Sequence, residues 1–95
     1  MSNVKARARH ILVKPKEVCE DLKTKIEAGA DFGELAKQHS QCPSGQQGGD
    51  LGEFGKGRMV PEFDKVVFSA DIGKVQGPVR TQFGWHLLEV TSRTE

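Results

Sequence analysis

Tyrosine is absent from this 95-residue chain, tryptophan occurs once and cysteine only twice. Two cysteines, Cys19 and Cys42, do not make the disulfide framework that staples a small secreted domain, so both are read as free thiols and the chain as cytoplasmic. His39 and Cys42 stand three apart, but no second Cys/His pair completes four ligands at zinc spacing, and no metal is expected. The longest apolar run near the amino end, Ile11 to Val13, is far too short for a signal-peptide core or a membrane span. Fourteen Lys and Arg against 13 Asp and Glu leave a formal charge of +1, without the basic excess that drives binding to nucleic acid or anionic membrane. The basic "KARAR" at 5–9 alternates as the exposed face of a strand does. Phosphate cradles are missing too. The Gly55-Lys56 pair has Asp50 where a P-loop needs its first glycine and Gly57 where it needs Ser or Thr, and no dinucleotide fingerprint occurs, so no cofactor is expected. The length suits one monomeric domain over 1–95, with 1–5 and 93–95 as flexible ends.

Glycine is plentiful by contrast, and six of the eleven glycines fall in "QCPSGQQGGDLGEFGKG", residues 41–57. The segments around that stretch are regular. Ala8 to Val13 is rich in branched apolar types and is stopped by Pro15, which predicts a strand with Ala8, His10 and Leu12 on one face. Val18, Leu22 and Ile26 recur every four residues before Gly29, the pattern of an amphipathic helix with a glycine stop. Asp31 caps a second helix, with Glu34 three residues on and Phe32, Leu35 and Ala36 facing inward, ending near Ser40. Leu51 to Phe54 is a short extended segment, and "VPEFDKVVFSA" at 60–70 is a third helix begun by Pro61. Gly73 to Pro78 is turn-rich, Val79 to Thr81 extended, and "TQFG" turns the chain into a last strand, "WHLLEVT", with His86, Leu88 and Val90 on one face. This order describes an α+β domain with one sheet and helices on both of its faces.

A lone histidine on an apolar strand face is most often a core residue satisfied by its neighbours. Here there are two: with the first and last strands side by side, His10 and His86 face each other, each ring fixing the other's tautomer. Met59 and Phe63 stand four apart at the head of the third helix, and Leu51 and Phe83 belong to adjoining loops. Pattern alone reads these four as core residues, but their positions beside turns fit the wall of a groove.

The segments "RHILVK", "DFGELAKQHSQCPSGQQGGDLGEF", "GRMVPEFDKVVFSA" and "GPVRTQFGWHLLEV" cover almost the whole chain and resemble, in order, the parvulins, the smallest family of peptidyl-prolyl cis/trans isomerases. The resemblance implies a parvulin/FKBP-like fold, a four-stranded antiparallel sheet wrapped by about four helices, one of them a short piece around Ser44 to Gln47. It implies that His10 and His86 are the paired histidines at the sheet centre, that Cys42 is the cysteine other members replace by aspartate, and that Thr81 hydrogen-bonds near the second histidine. Leu51, Met59 and Phe63 are then the proline pocket. Phe83, where some members have serine, makes that pocket more apolar.

The implied activity is noncovalent acceleration of rotation about Xaa-Pro bonds in proline-containing polypeptides, including unfolded or nascent chains, in support of folding. His10, Cys42, Thr81 and His86 form its polar floor; Leu51, Met59, Phe63 and Phe83 hold the ring. Cys beside His is also the arrangement of thiol hydrolases, but nothing in the sequence points to an oxyanion hole or a water path. Phosphorylation-dependent members carry arginines in a longer loop after the first strand; "VKPKEVCED" offers Lys14 and Lys16 and no arginine, so phosphate dependence is not expected. The glycine stretch is read as backbone passing close beneath the substrate, with Leu51 dipping into the pocket. A noncatalytic peptide-binding or chaperone module using the same groove is the second reading.

Overall fold

Branched apolar residues make the two most deeply buried strands, the first and the last, and these lie side by side. The computed structural model describes residues 5–94. Its elements are β1 (Lys5–Val13), α1 (Lys16–Glu27), α2 (Phe32–His39), a 3-10 turn (Pro43–Gln47), β2 (Asp50–Gly55), α3 (Pro61–Val67), β3 (Val75–Thr81) and β4 (Gly84–Thr94). The strands form one antiparallel sheet in the order β2-β1-β4-β3. Among the described residues the helices are thus three, with the fourth helical piece reduced to the 3-10 turn.

Strand alternation sends β1 side chains to two cores. Ala6 and Ala8, with Leu88 and Val90 of β4, pack against Phe54 and against Phe63 and Val67 of α3. Ile11, Val13 and Leu87 meet Cys19 and Leu22 of α1 and Phe32 and Ala36 of α2 on the opposite face. Each large apolar side chain so buried contributes about 1.5–3 kcal/mol. The alanines of β1 leave room on their face for the aromatic rings of β2 and α3. The Asp31 side chain accepts from the Glu34 N–H at 3.2 Å, which caps α2 as its sequence predicts.

The structure corrects several expectations. The buried stripe of α1 is Cys19, Leu22 and half-buried Ile26; Val18 is exposed, because the helix turns the position after it toward the sheet. β3 starts at Val75, inside the segment expected to turn. Its pairing shifts register between Gln76 and Val79, and as an edge strand it accommodates Pro78, which has no N–H to donate. Of the end positions read as flexible, Lys5 lies in β1 and Arg93 and Thr94 lie in β4. Lys5 pairs with Thr94 and Ala6 with Arg93, and the Lys5 N–H donates to Thr94 Oγ1 at 3.1 Å. The remaining end positions, 1–4 and 95, lie outside the described residues. Among the described residues no helix is long and apolar enough to cross a membrane.

Candidate functional site

Register decides where the two strand histidines meet. His10 pairs with Leu88 and Leu12 with His86, so His10 and His86 are diagonal neighbours on one face, a spacing that rings can bridge. Their Nδ1 atoms lie 3.0 Å apart and their planes differ by 15°. Phe63 of α3 stands edge-on to both, with ring centroids 5.7 Å from His10 and 5.8 Å from His86. Burial, and secondarily repulsion from His86, pushes the His10 pKa down to about 4; burial lowers His86 as well. Both rings are therefore neutral at pH 7, and the contact between them needs one N–H and one bare nitrogen.

Each outer ring nitrogen has a hydroxyl partner. Thr81 Oγ1 lies 2.8 Å from His86 Nε2 and accepts from the Phe83 N–H at 3.2 Å. Ser44 Oγ lies 3.1 Å from His10 Nε2 and donates to Cys42 Sγ at 3.3 Å. The loop that carries Cys42 and Ser44 is tied to β1: the Gln41 N–H donates to the Leu12 carbonyl at 2.7 Å, and Ser40 Oγ accepts from the N–H groups of Leu12 and Cys42. Gly45 lets the 3-10 turn sit against α2, since a Cβ there would stand 2.8 Å from the Ala36 carbonyl oxygen.

Over this polar row opens a groove of about 350 Å3. Seven of the eight site residues expected from sequence line it: His10, Cys42, Leu51, Met59, Phe63, Phe83 and His86. Thr81 does not; it is buried behind His86 and reaches the groove only through that ring. Phe83 stands at the rim, more than half exposed. The sequence reading missed Leu12, Val60, Gln41 and Pro43 as lining and Ser44 as a partner of His10. A signal for Leu12 was present, because it shares a strand face with His10; nothing local marks Ser44. Within the glycine stretch Gly48, Gly49, Gly52 and Gly57 hold positive φ, the unusual backbone expected there. Leu51 does reach the groove, but the tight glycine contacts are with α2 and β1, whereas Gly52 and Gly57 face open space. Larger hollows of about 590 Å3 lie elsewhere, beside charged residues such as Arg9 and Asp31, and bring together neither histidine nor thiol. Among the described residues no three His, Cys, Asp or Glu converge as a metal site.

Compared with known proteins, residues 10–92 match the Rotamase family, the PPIC-type PPIASE domain. The chain belongs to this peptidyl-prolyl isomerase family. Within the family it is 49% identical over 92 residues to the foldase protein PrsA of Geobacillus sp. (strain WCH70), covering 96% of this chain and 33% of that protein. The crystal structure of the peptidylprolyl isomerase PrsA from Bacillus anthracis superposes with a TM-score of 0.94 at 38% identity, over 98% of this chain and 43% of that one. NmPin, the parvulin of Nitrosopumilus maritimus, matches with a TM-score of 0.85 at 34% identity, over 97% of this chain and 99% of its own. The chain thus spans about a third of the length of the curated PrsA relatives, and the whole of a small parvulin.

Proposed function

We propose that the chain accelerates rotation about Xaa-Pro bonds noncovalently, with the proline ring held by Leu51, Met59, Phe63 and Phe83 and the rotating amide laid over His10, Cys42 and His86. The observation that carries this reading is the pair of buried, neutral imidazoles forming the floor of an apolar groove. The uncatalysed barrier of roughly 18–20 kcal/mol comes from amide resonance, so no bond has to be made or broken. Three to five decades of acceleration require roughly 4–7 kcal/mol of selective stabilisation of the twisted bond. A groove walled by Leu51, Met59, Val60 and Phe63 disfavours the charge-separated resonance form of the planar amide, while a gripped ring lets the carbonyl side turn. Thr81 holds the orientation of His86 from behind.

A noncovalent role for Cys42 is supported by its surroundings. The sulfur is partnered by a hydroxyl, Ser44, and the nearest imidazole on that row is separated from it by this hydroxyl and is a weak base. Substrates are proline-containing polypeptides, including unfolded or nascent chains, and the service is to folding; the foldase name of a relative supports this. Independence from phosphorylation is supported by the short connection between β1 and α1, Lys14-Pro15, which holds no arginine, and by Lys16 at the start of α1, which lies over the Trp85 ring at 5.2 Å. The unpaired thiols Cys19 and Cys42 support a reducing, cytoplasmic setting.

The test is NMR exchange on Xaa-Pro peptides with the wild-type chain, Met59→Ala and His10→Ala. Acceleration by wild type, weakened by Met59→Ala through poorer capture, supports isomerase action, and Cys42→Ala retains measurable activity. Binding without acceleration would instead leave a chaperone groove. Comparing Leu-Pro with phosphoserine-Pro peptides tests the phosphate reading, which a strong preference for the phosphorylated peptide overturns.

A further inference from the structure

A second, smaller hollow of about 280 Å3 opens beside the groove, lined by Val60, Pro61, Glu62 and Gln82. It adjoins the groove on two sides. Val60 lines both, and Gln82, in the turn between β3 and β4, is followed directly by Phe83 at the groove's rim. A polypeptide whose proline ring lies against Leu51, Met59 and Phe63 can therefore drop a neighbouring side chain into the second hollow. Charge separates the two spaces. The groove lining is uncharged at neutral pH, since both of its imidazoles are neutral, and Glu62 is the one charged residue lining either hollow. Glu62 is exposed at the head of α3 and has no hydrogen bond or ion pair among the described residues, whereas Asp64, two residues on, accepts from the Gly57 N–H at 3.0 Å. Nearby cations are drawn elsewhere. Lys56 lies over the Phe68 ring at 5.7 Å, and Arg80 lies at 5.7 Å over the ring of Trp85, which faces the other side of the sheet from His86. Arg58 is exposed and lines neither hollow.

We propose that this second hollow takes an arginine of the substrate that lies within two residues of the proline, so that Glu62 makes the chain select prolines with an arginine close by; this rests on the isomerase reading above. The methylene stem packs on Val60 and Pro61 while the head stays at the water's edge. The guanidinium fork meets the Glu62 carboxylate with two N–H groups and has a further one for the Gln82 side-chain oxygen. Lysine brings the charge without the fork and fits less well. An acidic side chain in the same place faces a like charge. With a formal charge of +1, the chain as a whole does not attract cations, so a preference for arginine is local to Glu62.

The experiment measures kcat/KM by NMR exchange at low salt for matched peptides carrying Arg, Gln or Glu at each of the two positions before and the two after the proline. Wild type, Glu62→Gln and Glu62→Lys are compared, and shift changes in the same samples give Kd. Wild type is expected to favour Arg over Gln by about 2- to 5-fold at one of these positions, through KM rather than kcat, and added salt shrinks the ratio. In Glu62→Gln the preference disappears. In Glu62→Lys it passes to the Glu peptide, a reversal that a disturbed start of α3 would not produce. Equal treatment of the three peptides by wild type at every position overturns the arginine site, as does an arginine preference that survives Glu62→Gln undiminished. A chain that accelerates none of the peptides, the Gln series included, overturns the isomerase reading instead. Kd then decides the arginine site by itself: tighter binding of an Arg peptide to wild type but not to Glu62→Gln upholds it, and equal binding of all three overturns it.

Discussion

Gly49 and His10 are packed backbone to backbone: the His10 N–H donates to the Gly49 carbonyl at 2.9 Å, and a Cβ on Gly49 would overlap the His10 carbonyl oxygen. Gly49 also holds φ at +86°, a region that costs an L side chain about 1–2 kcal/mol. Gly73 has the same φ of +86° with nothing within 4 Å of its virtual Cβ, so it isolates backbone strain from overlap. Gly73→Ala is expected to cost about 1–2 kcal/mol and leave catalysis intact. Gly49→Ala is expected to cost about 3–5 kcal/mol and, by displacing β1 at His10, to lower the isomerase rate about tenfold or more. Urea unfolding and peptide exchange on the two variants check this, and equal losses at both positions would contradict it.

Acid weakens the fold through the same pair of residues that floors the groove. A free histidine titrates near 6.5, whereas burial brings His10 to about 4 and lowers His86 too. Between those values the unfolded chain binds more protons than the folded one, so stability rises with pH through this window. The contribution is complete above about 6.5 and is lost as pH falls toward about 4, with His10 alone responsible for on the order of 3 kcal/mol. Urea midpoints taken at about pH 7, 5.5 and 4.5 measure the slope, and His10→Gln is expected to flatten it. A wild-type midpoint that stays constant across that range would refute the account. The isomerase rate shows no inflection from this pair above about pH 6.5, because neither ring gains a proton there.

Local chemistry was legible in the sequence and packing between elements was not. The Asp31 cap and the shared face of His10 with Leu12 follow from spacing within one element, and both appear as read. Sequence places the helix stripe on Val18 because its spacing of four from Leu22 suits a helix face as well as the spacing of three that Cys19 has; the sheet settles the matter, leaving Val18 exposed and Cys19 buried. Gly77 and Pro78 read as a turn, since the sequence does not say that β3 lies at an edge, where a proline costs no ladder bond. Leu51, Met59, Phe63 and Phe83 line the groove, and it is the family resemblance that assigns them to a pocket, since pattern alone reads them as core. Ser44 had no signal, because its importance comes from a contact with a residue 34 positions away.

Arg93 ties the last strand to the helix that carries Phe63. Its Nη1 donates to the carbonyls of Val67 and Ala70 at 3.0 and 2.7 Å, at the C-terminal end of α3. A helix of 7 residues has little stability of its own, so its placement depends on such contacts. Arg93→Ala removes two charge-assisted bonds and is expected to cost about 2–3 kcal/mol. Hydrogen exchange at the α3 amides rises, and KM for an Xaa-Pro peptide rises with it as the Phe63 wall loosens. Unchanged protection in α3 would show that the helix is held by its apolar face alone.

The two thiols differ in environment enough to be separated by a reagent. Cys19 has no exposed surface, and burial first, then the Glu20 carboxylate, pushes its pKa up to about 11, so at neutral pH almost none of it is thiolate. Cys42 is partly exposed and faces the groove. A thiol reagent applied to the native chain at pH 7 is therefore expected to modify one cysteine readily, and the second only after denaturant is added. Cys42→Ser abolishes the fast phase and leaves the slow one, and a proline peptide bound in the groove slows the fast phase by covering the sulfur. Rapid reaction of both thiols in the native chain would mean that α1 does not shelter Cys19 against the sheet.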